Sequence, residues 1–144
     1  MALKFALAVN SKGVFKKKHF GDAKQFLIYQ QSGDKLILVD TLENKFRNLD
    51  EKKKHGSVLK AEAIINFLKE NNINVLVSMQ FGKNIKVVNE HFIPVIIYSE
   101  SVDEVIETLS KHLHWIEDEW KLQPEAYKLF VIKHGIMKTE IEKE

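Results

Sequence analysis

The chain contains no cysteine. Disulfides, thiolate zinc sites and cysteine nucleophiles are therefore excluded, and a metal would have to be held by His, carboxylate, Met or backbone oxygen. Excess charge of one sign is also scarce. The formal net charge is +2, too small to argue for nucleic acid by itself. Arginine occurs once, at Arg47. The remaining basic charge is lysine, which reads as a bias of composition, not a functional cue. No apolar run approaches the length of a membrane span. The opening Met1-Ala2-Leu3-Lys4-Phe5 lacks a signal-peptide pattern, so the expectation is a cytoplasmic protein. Catalytic signatures are missing too. There is no Gly-rich phosphate loop of the Walker kind and no His-Glu-x-x-His, and the expectation is a chain that is not an enzyme.

What is present is a globular pattern. With 44% hydrophobic residues in 144, one domain with a packed core is the natural reading. Leu3, Phe5, Leu7 and Val9 alternate with Lys4, Ala6 and Ala8, a strand whose small second face can also be buried. Phe26–Tyr29 and Leu36–Val39 flank the turn signal Ser32-Gly33-Asp34 and make an antiparallel meander. Residues 43–54 are polar and without periodicity, a length that suggests a functional or mobile loop.

The stretch from His55 to Tyr98 reads helix, strand, helix, strand. Ser57 can cap the first helix, which carries Ala61, Ile64, Ile65 and Leu68 at spacings of three and four and stops at Asn71-Asn72. Val75–Val77 is a short apolar strand. Gly82 opens a second helix bearing Ile85, Val88 and Phe92, and Pro94 forces the chain out of it into the strand Val95–Tyr98. Ser101 to Glu104 matches a capping box. A long stripe from Val102 through Ile116 places a third helix over Val102–Trp120. Beyond Pro124 the tail reads as a short helix, although Leu129–Ile132 is equally open to a strand.

Two buried strands joined through helices imply parallel pairing. The simplest sheet has five strands in the order 3-2-1-4-5, with only the second antiparallel, the ribonuclease H-like arrangement. Helices one and two would cover one face and helix three the other. Four loops would then meet at the C-terminal edge of the parallel strands, where open α/β sheets bind ligands. These loops run from Asn10 to His19, Glu43 to Gly56, Met79 to Lys83 and Ser99 to Ser101. A nuclease of this fold needs carboxylates on strands one and four to hold metal ions. Here those positions offer Asn10 and Ser78, so the nuclease reading is rejected.

The edge collects cations. Lys16, Lys17 and Lys18 precede His19, and Lys52, Lys53 and Lys54 precede His55. Lys83 and the starts of three helices join them, making an anion-friendly rim. The plain alternative is two solvated lysine runs. His19 and His55 are each open to metal or anion binding or to a simple turn role. Met79, on the same edge, reads as packing.

Phe5-Ala6-Leu7-Ala8-Val9, then His19-Phe20-Gly21-Asp22-Ala23 and Phe26-Leu27-Ile28-Tyr29, resemble the dinitrogenase iron–molybdenum cofactor biosynthesis family. This is the NifX-like family, also found as the C-terminal part of NifB. His55-Gly56 and the helix–strand unit to Tyr98 continue the resemblance, which covers about Leu3 to Leu109. It implies a ribonuclease H-like domain over residues 1–112, with 113–144 as a helical extension. It further implies a non-enzymatic carrier or scaffold for an anionic iron–sulfur or iron–molybdenum type cluster, bound transiently. His19 would be the first cluster contact and metal ligand and His55 the second, with Phe20 and Gly21 shaping the turn. The family's Gly-x-Gly-like turn after strand four is reduced here to Gly82. Partners would be cluster donor or acceptor proteins.

An alternative is a protein-interaction module of the same fold. Its surface would be the tail, where Trp115, Trp120, Tyr127 and Phe130 would support a homodimer through residues 113–144. A third reading, single-strand nucleic-acid binding through the lysine rim and Phe15, Phe20 and Phe81, is the weakest of the three.

Overall fold

The computed structural model describes residues 2–48 and 56–140. Its strands are β1 (Lys4–Val9), β2 (Gln25–Ser32), β3 (Lys35–Glu43), β4 (Val75–Ser78), β5 (Ile93–Ile97), β6 (Leu129–Lys133) and β7 (Ile136–Glu140). They form one mixed sheet in the order β3-β2-β1-β4-β5-β6-β7. β1 runs antiparallel to β2 and parallel to β4, and β5 runs parallel to β4. The expected inner order, with β2 reversed, is present.

The limit of five strands is corrected. β6 adds parallel to β5, and β7 returns antiparallel beside it. The favoured tail helix is a β-hairpin instead. Its turn is His134-Gly135, with φ of 53° and 72°. Two consecutive left-handed residues give the hairpin turn whose twist matches that of the flanking strands. Pro94 is tolerated inside the sheet because β6 pairs only from Val95 onward, so no ladder bond is lost at its missing N–H.

Helices α1 (Gly56–Glu70) and α2 (Ile85–Val88) cover one face, and α3 (Val102–Lys111) and α4 (Leu113–Leu122) the other. The α1 stripe of Ala61, Ile64, Ile65 and Leu68 shares a buried cluster with Ala6 and Ala8 of β1 and Leu76 of β4. Asn72, at φ 62°, ends the helix as its residue type suggests. The Ser57 cap falls outside the described side chains. The helix expected from Gly82 is reduced to a 3-10 turn, Gly82–Asn84, and one α turn. The single third helix is corrected to two, because His112 sits at φ −126°, ψ 23°. The break leaves Leu113 and Ile116 in the same core as Val105 and Leu109.

The cap of α3 also differs in detail. Ser101 Oγ accepts from the Glu104 N–H at 3.2 Å. The return contact runs through Ser99, whose hydroxyl donates to Glu104 Oε2 at 2.7 Å and accepts from the Ser101 N–H at 3.1 Å.

The tail aromatics are core. Tyr127 and Phe130 are 6% and 2% exposed, and Trp120 stacks on Tyr127 with centroids 5.1 Å apart. The uncovered aromatic surface that motivated a homodimer is therefore absent, and of the four only Trp115 stays exposed. Truncation after Leu122 should remove Tyr127, Phe130, Ile132 and Met137 from one buried cluster. At about 1.5–3 kcal/mol per large apolar side chain, the loss is on the order of a whole domain stability. Thermal melts should show loss of cooperative unfolding. A truncated chain that melts normally would return the tail to the surface.

Burial pushes the Tyr127 phenol above 10.0, with Glu119 adding to the rise and a hydrogen bond with Gln123 opposing it. The folded state therefore holds that proton more tightly than the unfolded chain. The stabilisation is intact below the unfolded value and is lost as pH climbs through the folded one. Melts above about pH 10 should fall less steeply for Tyr127→Phe than for the unaltered chain.

Candidate functional site

The four loops expected at the C-terminal sheet edge do meet, as far as they are described. The first starts where β1 ends. Asn10 Oδ1 accepts from the Lys12 and Val14 N–H groups at 2.9 and 3.1 Å, an Asx-type closure that folds the chain back. Buried Phe15 then anchors it in the α3/α4 core, and its N–H reaches Glu100 O at 3.2 Å. Lys16 Nζ pairs with Glu100 at 2.9 Å. The loop from Ser99 to Ser101 is thereby tied to the first.

Within His19 to Ala23, Phe20–Asp22 form a 3-10 turn capped by extended residues at either end. Phe20 is buried against Phe81, centroids 5.7 Å apart, and its N–H donates to Gln80 O at 3.0 Å. Gly21 lies beneath the Lys60 side chain, and a Cβ there would stand 3.3 Å from Lys60 Cε. Asp22 Oδ1 accepts from Lys60 Nζ at 2.6 Å. Lys60, on α1, is only 3% exposed, and a lysine so buried needs an anionic partner. The turn is thus pinned to the third loop through Gln80 and Phe81, and to α1 through Asp22.

His19 itself is exposed and bridges to Gln80 through its backbone. Its ring lies directly over Gly82. A Cβ on that glycine would come within 2.7 Å of His19 Cε1, and Gly82 has φ +63°. Gly82 therefore serves twice, through its backbone conformation and as the imidazole's seat.

The second loop is clamped from below. Asn44 is 2% exposed, and its Nδ2 donates to Gly21 O at 3.0 Å and Ala23 O at 2.9 Å. Its Oδ1 accepts from the Phe46 N–H at 3.1 Å, and the Phe46 ring meets Phe67 of α1 edge-on. The next residue is Arg47.

Two clefts flank His19. One, of about 330 Å³, is cationic and is lined by Asn10, Ser11, Lys16, Lys18, His19, Asp22, Lys24 and Arg47 among others. The other, of about 530 Å³, is largely apolar and is lined by Lys17, His19, Met79, Phe81, Gly82, Ile96 and Tyr98 among others. Phe20 and Gly21 line neither and act on the shape of the turn. Lys83 is exposed beyond both. His55, Lys52, Lys53 and Lys54 lie outside the described residues. Phe15, Phe20 and Phe81 are buried, which removes the stacking faces that the nucleic-acid reading requires. α2, with four residues, is too short to offer the helix N-terminus counted in the rim.

Sequence reasoning missed Arg47, Lys24, Asn44 and the Asp22–Lys60 pair. The available signal for Arg47 was its being the sole arginine, within a loop already marked by its length.

Gly82→Ala should force the imidazole off its seat and strain the backbone, costing on the order of 1–3 kcal/mol. Urea unfolding measures the loss, and the His19 ring resonances should shift in the same variant. Unmoved resonances would dissociate the glycine from the histidine.

Among the described residues, no helix is long and apolar enough to cross a membrane. No significant match to a curated protein is found. A family model matches residues 1–112, a span that holds β1 to β5, the His19 turn and every residue lining the two clefts around it. On that match, the chain belongs to the dinitrogenase iron–molybdenum cofactor family, a family involved in the biosynthesis or binding of that cofactor.

Proposed function

We propose that the chain is a non-enzymatic carrier or scaffold that holds an anionic iron–sulfur or iron–molybdenum type cluster as transient cargo. The observation that carries this reading is the placement of His19. It is exposed, seated on Gly82, and stands between a cationic cleft and an apolar one. The inner five strands, in the order 3-2-1-4-5, also support reading the core as ribonuclease H-like.

The donor set bears on the kind of cargo. Among the described residues, no group of three or more His, Asp or Glu side chains is placed to hold a metal ion, and the chain has no cysteine. These residues suit a bare ion poorly. A preassembled cluster supplies its own bridging ligands, so a single imidazole at a vacant metal position suffices as protein ligand. Its negative charge would be met by Lys16, Lys17 and Lys18 on the same loop, as charge-assisted contacts. In this reading His55, Lys52, Lys53 and Lys54 are further candidate contacts for the cluster, and Lys83 contributes at longer range. Weak, one-point ligation favours release to an acceptor protein over permanent storage.

Anaerobic loading from a cluster donor, followed by desalting and iron and molybdenum analysis, tests the reading. The unaltered chain should retain charge-transfer absorbance. His19→Ala should retain at least tenfold less, with unfolding free energy changed by no more than about 0.5 kcal/mol, the range of ordinary surface substitutions. Equal retention by His19→Ala, or no retention by either chain, would sink it.

A further inference from the structure

We propose that the cationic cleft is a built oxyanion site for a compact carboxylate or phosphate ligand, and that Arg47 is its principal contact. This rests on reading the His19 turn as a ligand site, but not on the ligand carrying metal. Four cationic side chains, Lys16, Lys18, Lys24 and Arg47, line the cleft, with Asp22 as its acidic member. Two of these charges are already spoken for. Lys16 pairs with Glu100 at 2.9 Å, and Asp22 pairs with Lys60 at 2.6 Å. Lys18, Lys24 and Arg47 have no carboxylate within ion-pair distance among the described residues. The cleft is therefore a concentration of uncompensated positive charge on a chain whose formal net charge is +2.

Arg47 differs from the two lysines. Lys18 and Lys24 are exposed and can reach water freely, whereas Arg47 is half-buried. Its backbone follows directly from two fixed points. Asn44 is bonded to the carbonyls beneath the His19 turn, and Phe46 is packed on Phe67. Among the described residues this half-buried cation has no carboxylate partner, and an anion in the cleft would supply the counter-charge. A guanidinium presents parallel N–H donors that match the two oxygens of a carboxylate or phosphate, which an ammonium cannot do. The cleft walls also lower the effective dielectric around the ion, strengthening the attraction relative to an open surface. Asn44 acts here as a positioning residue, since its side chain reaches the turn carbonyls and not the cleft.

The test uses the full chain at low salt with two metal-free probes, citrate and inorganic pyrophosphate, followed by calorimetry and backbone amide shifts. At least one probe should bind, with shifts at Asn10, Ser11, Lys24 and Arg47. Preference for citrate assigns a carboxylate ligand, and preference for pyrophosphate a phosphate. Arg47→Lys keeps the charge and should weaken binding at least tenfold with an unchanged melting temperature. Lys69→Ala, which removes a charge at the far end of α1, should change it less than twofold. Binding of neither probe, or equal weakening by the two substitutions, overturns the proposal. If a probe binds through Arg47 while cluster loading fails, only the reading of the cargo falls.

Discussion

The structure depends on β1 being buried from both sides. Phe5, Leu7 and Val9 belong to the core beneath α3 and α4, and Ala6 and Ala8 to the core beneath α1. Large residues on one face and alanines on the other let α1 approach closely while the opposite layer stays thick. With β2 and β4 paired on its two edges, the strand presents no polar side chain from Phe5 to Val9. Chemistry is therefore displaced to the residues that follow Val9. The loop that leaves β1 must cross the sheet edge before entering β2, and in crossing it meets the loop after β4, the loop after β5 and the loop after β3. The His19 turn fixes the meetings with the loops after β4 and β3 by hydrogen bonds, and Phe15 and Lys16 fix the one with the loop after β5.

The electrostatics of the edge are more selective than lysine counts suggest. A run of three adjacent lysines is divided by the local backbone, with Lys18 facing the cationic cleft, Lys17 the apolar one, and Lys16 drawn toward Glu100. The buried Lys60 is an internal charge matched by Asp22, and contributes to shape, not to an external field. The lysine end of that pair is 4% exposed and the carboxylate end 44%, so the charge enters the protein from the α1 side. Conformation of the turn and charge at its surface are thus separate properties carried by neighbouring residues.

Much of this organisation was legible in the sequence because it follows from period and sign. Alternation gave β1, spacing of three and four gave α1, and the double apolar runs gave the parallel centre and the assignment of helices to faces. His19 and Gly82 were both singled out through the family resemblance. Their direct contact was not, since it joins positions far apart in the chain. The tail failed for a local reason. Leu129–Ile132 satisfies helix and strand patterns alike, and the deciding turn, His134-Gly135, is a weaker signal than Asn-Gly. The break at His112 interrupts a stripe whose apolar spacing continues unaltered. Arg47 was set aside because composition was weighed over the whole chain instead of at one cleft. Asn44 has no sequence signature at all, as an asparagine that clamps two carbonyls is indistinguishable from one in solvent.

The position of the hairpin has a consequence for association. A family-sized span ending at residue 112 would leave one side of β5 without a neighbour. Its exposed rim would then be Val95, Ile96 and Ile97, a flat β-branched template of the kind that recruits foreign strands. In this chain β6 occupies that side, and the outermost strand becomes β7, which contains Lys138 and Glu140. Charged side chains on a terminal strand discourage further addition. The segment beyond the family match therefore covers the apolar rim of β5 and moves that side's edge to a strand that carries charge, while the opposite edge remains β3.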